Sequence, residues 1–427
     1  MIQLNKSSKV TFMKCFSFIT VFAFILLLLS PLQAAGTSSN KVNSMTDTAW
    51  NLIKQKKYPE AMNICLEIIK IDPNNSLALS YRGISYRNIG KYNLALKDCE
   101  KAVKIDQKNK FGWYGLGSVL LDLKKYNEAI LKFNKSIELD PQWSWPYNGR
   151  GVAYYFTNQF DKSIADYTKA LEIDPKDAMT YINRGIVYTD MKNYSLAIKD
   201  YSSALNIDPD NLVVLAKRAW IYNQIGDIYS SLLDIKKELQ IEPNNVDNLV
   251  YCSSAYLTLK QYVNSIEEAT KALKIDPKNS LAYYYRGSSY LKTHKHKSAI
   301  DDLTRSIEIN SKFPDAYVQR GDSHFDLREF KYALSDYTEA VRLDPSYENY
   351  LGRSLVYITM SNYDMAIKDL RVVLKLKPGL YNAKRGLVIA YSLKYKFLIL
   401  PIVFSTIIII YNHKKRKRQQ QVKNIND

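Results

Sequence analysis

Residues 178–211 read AMTYINRGIVYTDMKNYSLAIKDYSSALNIDPDN, and recognisable versions of this stretch recur before and after it at a spacing of 34 residues. Apolar and aromatic residues follow helical spacing in its first half and again in its second half. It ends at Asp208-Pro209, where proline cannot donate the next backbone hydrogen bond of a helix. Each unit is therefore predicted to be a hairpin of two helices, and a repeat of this length predicts a solenoid of stacked hairpins.

Ten such units are predicted over residues 45–380, and each ends in a turn. The turns lie at Asp72-Pro73, Asp106-Gln107, Asp140-Pro141, Asp174-Pro175, Asp208-Pro209, Glu242-Pro243, Asp276-Pro277, Asn310-Ser311, Asp344-Pro345 and Lys377-Pro378. An oxygen side chain that can cap the next first helix follows six of them, at Asn75, Asn109, Asp177, Asn211, Asn245 and Asn279. Caps of second helices are predicted at Asn93, Asn127, Asp161, Ser195 and Asp364. The fold class is all-α.

Glycine and tyrosine recur at fixed positions of the first helix, and alanine recurs at a fixed position of the second helix. Glycines stand at Gly83, Gly117, Gly151, Gly185, Gly287 and Gly321, tyrosines at Tyr86, Tyr154, Tyr188 and Tyr290, and alanines at Ala95, Ala129, Ala197, Ala299, Ala333 and Ala366. Together with the turn prolines this pattern resembles the tetratricopeptide repeat. The resemblance covers about residues 42–380 and implies a right-handed α-solenoid that binds proteins through its concave face. A superhelix of about one turn is expected.

An arginine and an aspartate recur together in seven units. The pairs are Arg82 with Asp98, Arg150 with Asp166, Arg184 with Asp200, Arg218 with Asp234, Arg286 with Asp302, Arg320 with Asp336 and Arg353 with Asp369. Where the arginine is replaced, as at Thr48 and Leu116, the aspartate is replaced too, by Ile64 and Lys132, and the unit with Cys252 and Glu268 is the one exception. The paired presence and absence predicts an ion pair within each hairpin, with a structural rather than a catalytic role.

The resemblance also predicts which residues line the concave face. They are Phe111, Tyr114, Trp145, Asn148, Tyr155, Phe156 and Trp220. Exposed aromatic residues are the usual anchors of peptide recognition, so units three to six are predicted to hold an apolar or aromatic extended segment or a partner helix. The alternative is that several of these residues only pack against their neighbours.

Composition excludes several other functions. The formal charge of +18 is divided between the two ends of the chain and a long, mixed repeat region, so no clustered basic face for nucleic acid is predicted. No phosphate-binding loop, nucleophile motif or metal-spaced cluster occurs, and His294 and His296 stand among lysines. We therefore expect no enzyme activity, cofactor or metal. Cys65 and Cys99 lie one repeat apart, too far for a disulfide, and are predicted to be buried free thiols.

The two ends of the chain predict a membrane location. Residues 1–35 have the basic start, apolar run and small residues of a signal peptide or signal anchor, followed by a polar linker over 36–44. A capping helix is predicted over 381–396, a transmembrane helix over 397–411 and a basic cytoplasmic tail over 412–427. This topology predicts a single-pass protein whose repeats lie outside the cytoplasm or in a lumen. An apolar helix that seals the solenoid is the alternative for 397–411.

Two functions fit these features. The first is a non-catalytic, membrane-tethered scaffold that binds a protein or peptide segment in its concave face. The second is an accessory or targeting subunit of an envelope or secretion-pathway enzyme complex.

Overall fold

The computed structural model of this chain describes residues 40–396 and 408–410. Within residues 40–396 the regular elements are all α-helices, and this part of the chain contains no strand. The Cα positions group into two compact units, one that extends to Val214 and one that begins at Leu215. Within each unit, consecutive helices pack against each other and form a stack of hairpins, as the repeat predicts.

The helices alternate between a first and a second helix of each hairpin. The first five hairpins comprise α1 (40–54), α2 (Tyr58–Ile71), α3 (Ser76–Asn88), α4 (Tyr92–Ile105), α5 (Lys110–Asp122), α6 (Tyr126–Leu139), α7 (Ser144–Phe156), α8 (Phe160–Ile173), α9 (Ala178–Asp190) and α10 (Tyr194–Ile207). The next five comprise α11 (Leu212–Gln224), α12 (Ile228–Ile241), α13 (Val246–Thr258), α14 (Tyr262–Ile275), α15 (Ser280–Lys292), α16 (His296–Ile309), α17 (Pro314–Asp326), α18 (Phe330–Leu343), α19 (Tyr347–Thr359) and α20 (Tyr363–Leu376). A last helix, α21, spans 381–396, and its capping role remains a prediction.

The predicted caps of the first helices are confirmed. Asn75 Oδ1 accepts a hydrogen bond from the Ala78 N–H at 2.9 Å, and Asn109, Asp177, Asn211, Asn245 and Asn279 accept equivalent bonds. These bonds satisfy donors that the first turn of a helix leaves without an intrahelical partner. In these six hairpins the capping residue therefore marks where the first helix begins.

The caps predicted for second helices are wrong. Asn93, Asn127, Asp161, Ser195 and Asp364 lie within the first turn of their helices, because each helix begins two residues earlier than predicted. The reason is the turn inside each hairpin, where one residue adopts a left-handed conformation with φ between 58° and 80°. These residues are Lys56, Gly90, Lys124, Asn158, Lys192, Gly226, Lys260, His294, Arg328 and Ser361. Only one residue separates this position from the second helix, so the cap lies there, as at Asn193 and Asn362.

Glycine on first helices makes room for a large side chain on second helices. A Cβ built on Gly149 would stand 2.5 Å from Cζ of Phe133, which is fully buried. Gly151 and Gly185 make the same allowance for Tyr167 and Tyr201. Since protein interiors are packed as densely as organic crystals, these contacts hold neighbouring helices at one separation.

The predicted membrane location is wrong for the part of the chain that the structure describes. Among residues 40–396 and 408–410, no helix has the length and apolar character needed to cross a membrane. The predicted transmembrane segment 397–411 lies outside the described residues except for 408–410, as do the predicted signal segment and the basic tail. Helix α1 begins at residue 40, inside the stretch that was predicted to be a linker.

Candidate functional site

The first unit contains a groove with a volume of about 800 Å³, formed chiefly by the first helices α1, α3, α5 and α7. Its wall includes the apolar or aromatic side chains of Ile84, Tyr114, Leu121, Trp145, Val152 and Phe156. Four exposed lysines, Lys54, Lys56, Lys124 and Lys176, also line it. Polar and charged side chains, among them Arg87, Asp122 and Asn148, make up the rest of the wall. The groove volume lies within the roughly 300–1,000 Å³ that ligand sites in proteins span.

Six aromatic rings form a contiguous cluster beside this groove. This aromatic cluster comprises Trp50, Tyr81, Phe111, Tyr114, Trp143 and Trp145. The ring centroid of Trp50 lies 4.7 Å from that of Phe111 and 5.3 Å from that of Trp145, so α1 contacts α5 and α7 through this residue. Tilted and edge-on contacts at these separations are favourable between aromatic rings. The cluster therefore joins hairpins one to four on the groove side of the unit.

Five of the seven predicted concave residues fall into three settings. Phe111, Tyr114 and Trp145 are half-buried and belong to the aromatic cluster. Phe156 is 53% exposed and stacks on Tyr126, with both side chains on the groove wall. Trp220 lies in the second unit and is 49% exposed. The alternative of residues that pack against their neighbours thus describes the first group.

The two polar residues of the predicted set form bonds to the next hairpin. Tyr155 donates its hydroxyl to Asp190 Oδ2 at 2.6 Å. That hydrogen bond, more than burial, raises the pKa of Tyr155 to about 12. Asn148 Nδ2 donates to the hydroxyl of Thr180, which in turn donates to Asp177. These side chains connect α7 to the next hairpin.

An ion pair that sequence reasoning missed lies on the groove wall. Arg87 of α3 donates from Nε to Asp122 Oδ2 at 2.6 Å and from Nη2 to Asp122 Oδ1 at 2.9 Å. Both residues line the groove. The sequence signal for this pair was its spacing of 35 residues, which is also the spacing of Tyr155 and Asp190. This spacing places a hydrogen-bond donor on one first helix beside a carboxylate on the next first helix.

Trp50 and Trp143 were also missed. Only five tryptophans occur in the chain, and Trp143 stands two residues before Trp145, which was predicted to face the groove. Trp143 directly precedes a predicted helix, so its position suggested a turn residue rather than a member of a cluster. The contact between α1 and α7 depends on the curvature of the hairpin stack, which a single repeat does not reveal.

The structure brings each predicted arginine and aspartate together within its own hairpin. Arg150 Nε and Nη2 each lie 2.7 Å from an Asp166 carboxylate oxygen, and the two Arg184 bonds to Asp200 measure 2.8 Å. The other five pairs have the same two-bond geometry. The hydrogen bond to Asp200 raises the pKa of Arg184, and the Asp200 side chain is only 3% exposed. These pairs belong to the framework of the hairpins.

The arginines also bind the preceding hairpin. Nη1 of Arg184 donates to the Thr168 hydroxyl at 2.9 Å, and Nη1 of Arg150 donates to Asn134 Oδ1 at 2.7 Å. Arg286 and Arg320 make the same type of bond in the second unit. One guanidinium thus connects two helices of its own hairpin to the hairpin before it.

The cysteine prediction is confirmed. Cys65, Cys99 and Cys252 are free and buried. Burial raises the pKa of Cys65 to about 12, so this thiol is protonated at neutral pH. Within residues 40–396 and 408–410, no group of three or more histidine, cysteine, aspartate or glutamate residues has a geometry that could hold a metal ion. His294 and His296 lie with their ring centroids 5.9 Å apart.

Comparison with known families gives matches along most of the hairpin region. Models described as tetratricopeptide repeat match residues 76–109, 144–177, 178–211, 253–279, 268–301, 314–347 and 347–379, and a model described as TPR repeat matches 117–157. No curated protein matches the chain.

Several solved structures resemble the chain. A crystal structure of the APC/C hetero-tetramer Cut9-Hcn1 is 13% identical, covers 80% of this chain and 95% of its own, and has a TM-score of 0.42. A tetratricopeptide repeat protein from Parabacteroides merdae is 16% identical, with 58% and 98% coverage and a TM-score of 0.42. The MamA crystal structure is 25% identical, with 38% and 94% coverage and a TM-score of 0.32.

Proposed function

Because the chain belongs to the tetratricopeptide repeat family, whose repeats imply protein partners, we propose that it is a non-catalytic scaffold that binds a short apolar or aromatic protein segment in the groove of its first unit. The sequence predicted a site in repeats three to six. The proposed groove lies earlier in the chain, because its wall comes from hairpins one to four and the start of hairpin five.

The exposed Phe156 ring carries this proposal. It stacks on Tyr126 at a centroid distance of 5.0 Å, yet more than half of its surface stays accessible. Leu121 and Val152 continue the apolar wall beside it. A bound side chain would remove this apolar surface from water, which stabilises a complex by roughly 25 cal/mol for each Å² buried.

The aromatic cluster supports the same proposal in another way. Its rings hold α1, α5 and α7 together, so the wall is formed before a partner arrives. A preformed wall loses little conformational entropy on binding. The groove volume of about 800 Å³ suits a few residues of a partner rather than a long helix.

A random-peptide phage library, selected on the full chain, tests the proposal. We expect enrichment of peptides that carry aromatic or large aliphatic residues, measured afterwards as synthetic peptides by fluorescence anisotropy. The variant Phe156→Lys should weaken binding at least ~10-fold, the effect of losing one interface anchor.

The matched control is Leu131→Lys, which places the same charge on an apolar side chain of α6 that is 62% exposed and lies away from the groove wall. This variant should leave peptide affinity within about twofold of wild type, because scattered exposed apolar residues carry little binding energy. Absence of enriched peptides, or equal loss in both variants, would contradict the proposed function.

A further inference from the structure

The groove wall holds one guanidinium whose charge is already matched by a carboxylate. Arg87 and Asp122 form a two-bond pair, and their side chains are 24% and 25% exposed, so both reach the groove surface. Planar pairing of this kind is the geometry by which arginine recognises carboxylates generally. Asp122 therefore occupies the position that the carboxylate of a ligand would take.

Arg87 lies among aromatic groups of the groove. Tyr58 and Tyr114 line the groove together with Arg87. Burial raises the pKa values of both tyrosines. A ligand with an aromatic ring and a carboxylate would fit this combination of groups if Asp122 did not already hold the arginine.

We propose that Asp122 determines the ligand specificity of the groove: it occupies the Nε–Nη2 edge of Arg87 and so makes the groove select apolar or aromatic segments without a carboxylate. This inference rests on the proposed function, since it concerns the same groove. An incoming carboxylate would meet the negative charge of Asp122 at short range and would lack that edge of the guanidinium. Removing the charge of Asp122 should therefore convert the groove to one that binds aromatic carboxylates.

Asp190, which does not line the groove, offers a matched control. Asp190 lies two hairpins after Asp122 and occupies the same position in its own hairpin. It also accepts a hydrogen bond from a side chain of the preceding hairpin. Its donor is the neutral hydroxyl of Tyr155 rather than a cation. Neutralising Asp190 removes an equal charge from the same helix position but leaves no free guanidinium, so it should create no preference for carboxylates.

The experiment compares two small probes on the full chain. Fluorine-labelled indole-3-acetate and indole-3-acetamide have the same ring and differ in charge, and their binding is measured by fluorine NMR titration. Wild type should bind the amide at least as tightly as the acid. The variant Asp122→Asn should bind the acid at least ~10-fold more tightly than wild type does, a gain that corresponds to one charge-assisted hydrogen-bonded pair.

Three further variants make the result decisive. Asp190→Asn should keep the wild-type ratio of the two affinities, and Asp122→Asn combined with Arg87→Gln should lose the gain. Asp122→Ser replaces Asp122→Asn if thermal melting shows that the latter is unfolded. The inference is overturned if the Asp122 variants bind neither probe, keep the wild-type ratio, or gain no more than Asp190→Asn. If library peptides still bind wild type in the groove, such a result refutes only the role of Asp122; if none bind, the proposed function itself fails.

Discussion

The two compact units share a framework but differ on the face that the first helices present to partners. At the second residue of these helices the first unit has Leu77, Phe111, Trp145 and Met179, whereas the second unit has Asp247, Leu281, Asp315 and Glu348. The arginine–aspartate pairs have one geometry in both units. Within this chain, the ion pairs that hold the hairpins together are therefore the same in both units, whereas the residues on the face of the first helices differ.

A second contrast concerns acidic groups on that face. In the first unit, Asp122 and Asp190 are exposed and accept bonds from Arg87 and Tyr155. In the second unit, Asp322 is half-buried and accepts from the Tyr337 hydroxyl. Burial raises the pKa of Asp322 above its ordinary value. Asp322 lies four residues before the repeat position of Asp122 and Asp190, so these carboxylates of the two units differ in position as well as in surroundings. Binding properties of one unit therefore do not transfer to the other.

The largest expected effect tests whether the framework is the same in both units. Asp200→Ala in the first unit and Asp336→Ala in the second should each lower the free energy of unfolding by about 3–5 kcal/mol, because each leaves a partly buried arginine without its partner. The side chains of Asp200 and Asp336 are 3% and 6% exposed. Denaturant unfolding followed by circular dichroism measures the loss.

A paired replacement is the control for this prediction. Arg184→Met together with Asp200→Leu removes both charges and fills similar volume, so its stability should lie near that of wild type. A loss below about 1 kcal/mol for either single variant would instead describe a solvent-exposed pair and would contradict the shared framework.

The next effect concerns close packing at glycine. Gly149→Ala in the first unit and Gly352→Ala in the second would place a Cβ 2.5 Å from Phe133 and 2.2 Å from Tyr337. Each should cost roughly 1–3 kcal/mol, the usual cost of overpacking a core. Gly379→Ala is the control, since no atom lies within 4 Å of its Cβ position. Differential scanning calorimetry should show lower melting temperatures for the first two variants alone; equal shifts in all three would argue against tight packing.

Sequence predicted the framework well because the framework is local and repeated. Arg184 and Asp200 lie on adjacent helices of one hairpin, so the 34-residue period and the matched losses at Leu116 and Lys132 were enough to pair them. The start of second helices was missed because Lys192 and similar residues adopt a left-handed conformation that glycine or asparagine would have signalled. Gly90, Asn158 and Gly226 stand at this position and were the available clue.

The candidate site was predicted less well. Phe111 and Trp145 were expected on an open wall, yet both contact Trp50 from a hairpin far away in sequence. That contact depends on the rotation between successive hairpins. Each interface between two hairpins contributes to this rotation, so one repeat does not predict it. The Arg87–Asp122 pair was missed for a similar reason, since it joins two hairpins and does not recur as the same residue types.

A smaller effect tests the left-handed turns of both units. Gly226→Ala in the second unit should lower stability by about 1 kcal/mol, since its φ of 80° strains a residue with a Cβ. No atom lies within 4 Å of that Cβ position, so the cost is one of backbone conformation. Lys192→Gly in the first unit should raise stability by roughly 0.5 kcal/mol, because released strain slightly exceeds the entropy cost of glycine. Thermal melts of both variants measure the changes; a gain from Gly226→Ala would refute the strain argument.

The smallest expected effect concerns a tyrosine of the first unit at high pH. The hydrogen bond to Asp190 raises the folded-state pKa of Tyr155 from 10.0 to about 12, so the folded chain keeps a proton that the unfolded chain has lost in this range. Stability from this bond is fully present below pH 10 and is lost as the pH rises through 12. Because Tyr155 is partly exposed, the change should be less than about 1 kcal/mol. The stability difference between wild type and Tyr155→Phe should therefore shrink between pH 9.5 and 12, as measured by urea unfolding. A constant difference for Tyr155→Phe would mean that its hydroxyl does not bind Asp190 in solution, and that this bond between hairpins is weaker than its geometry indicates.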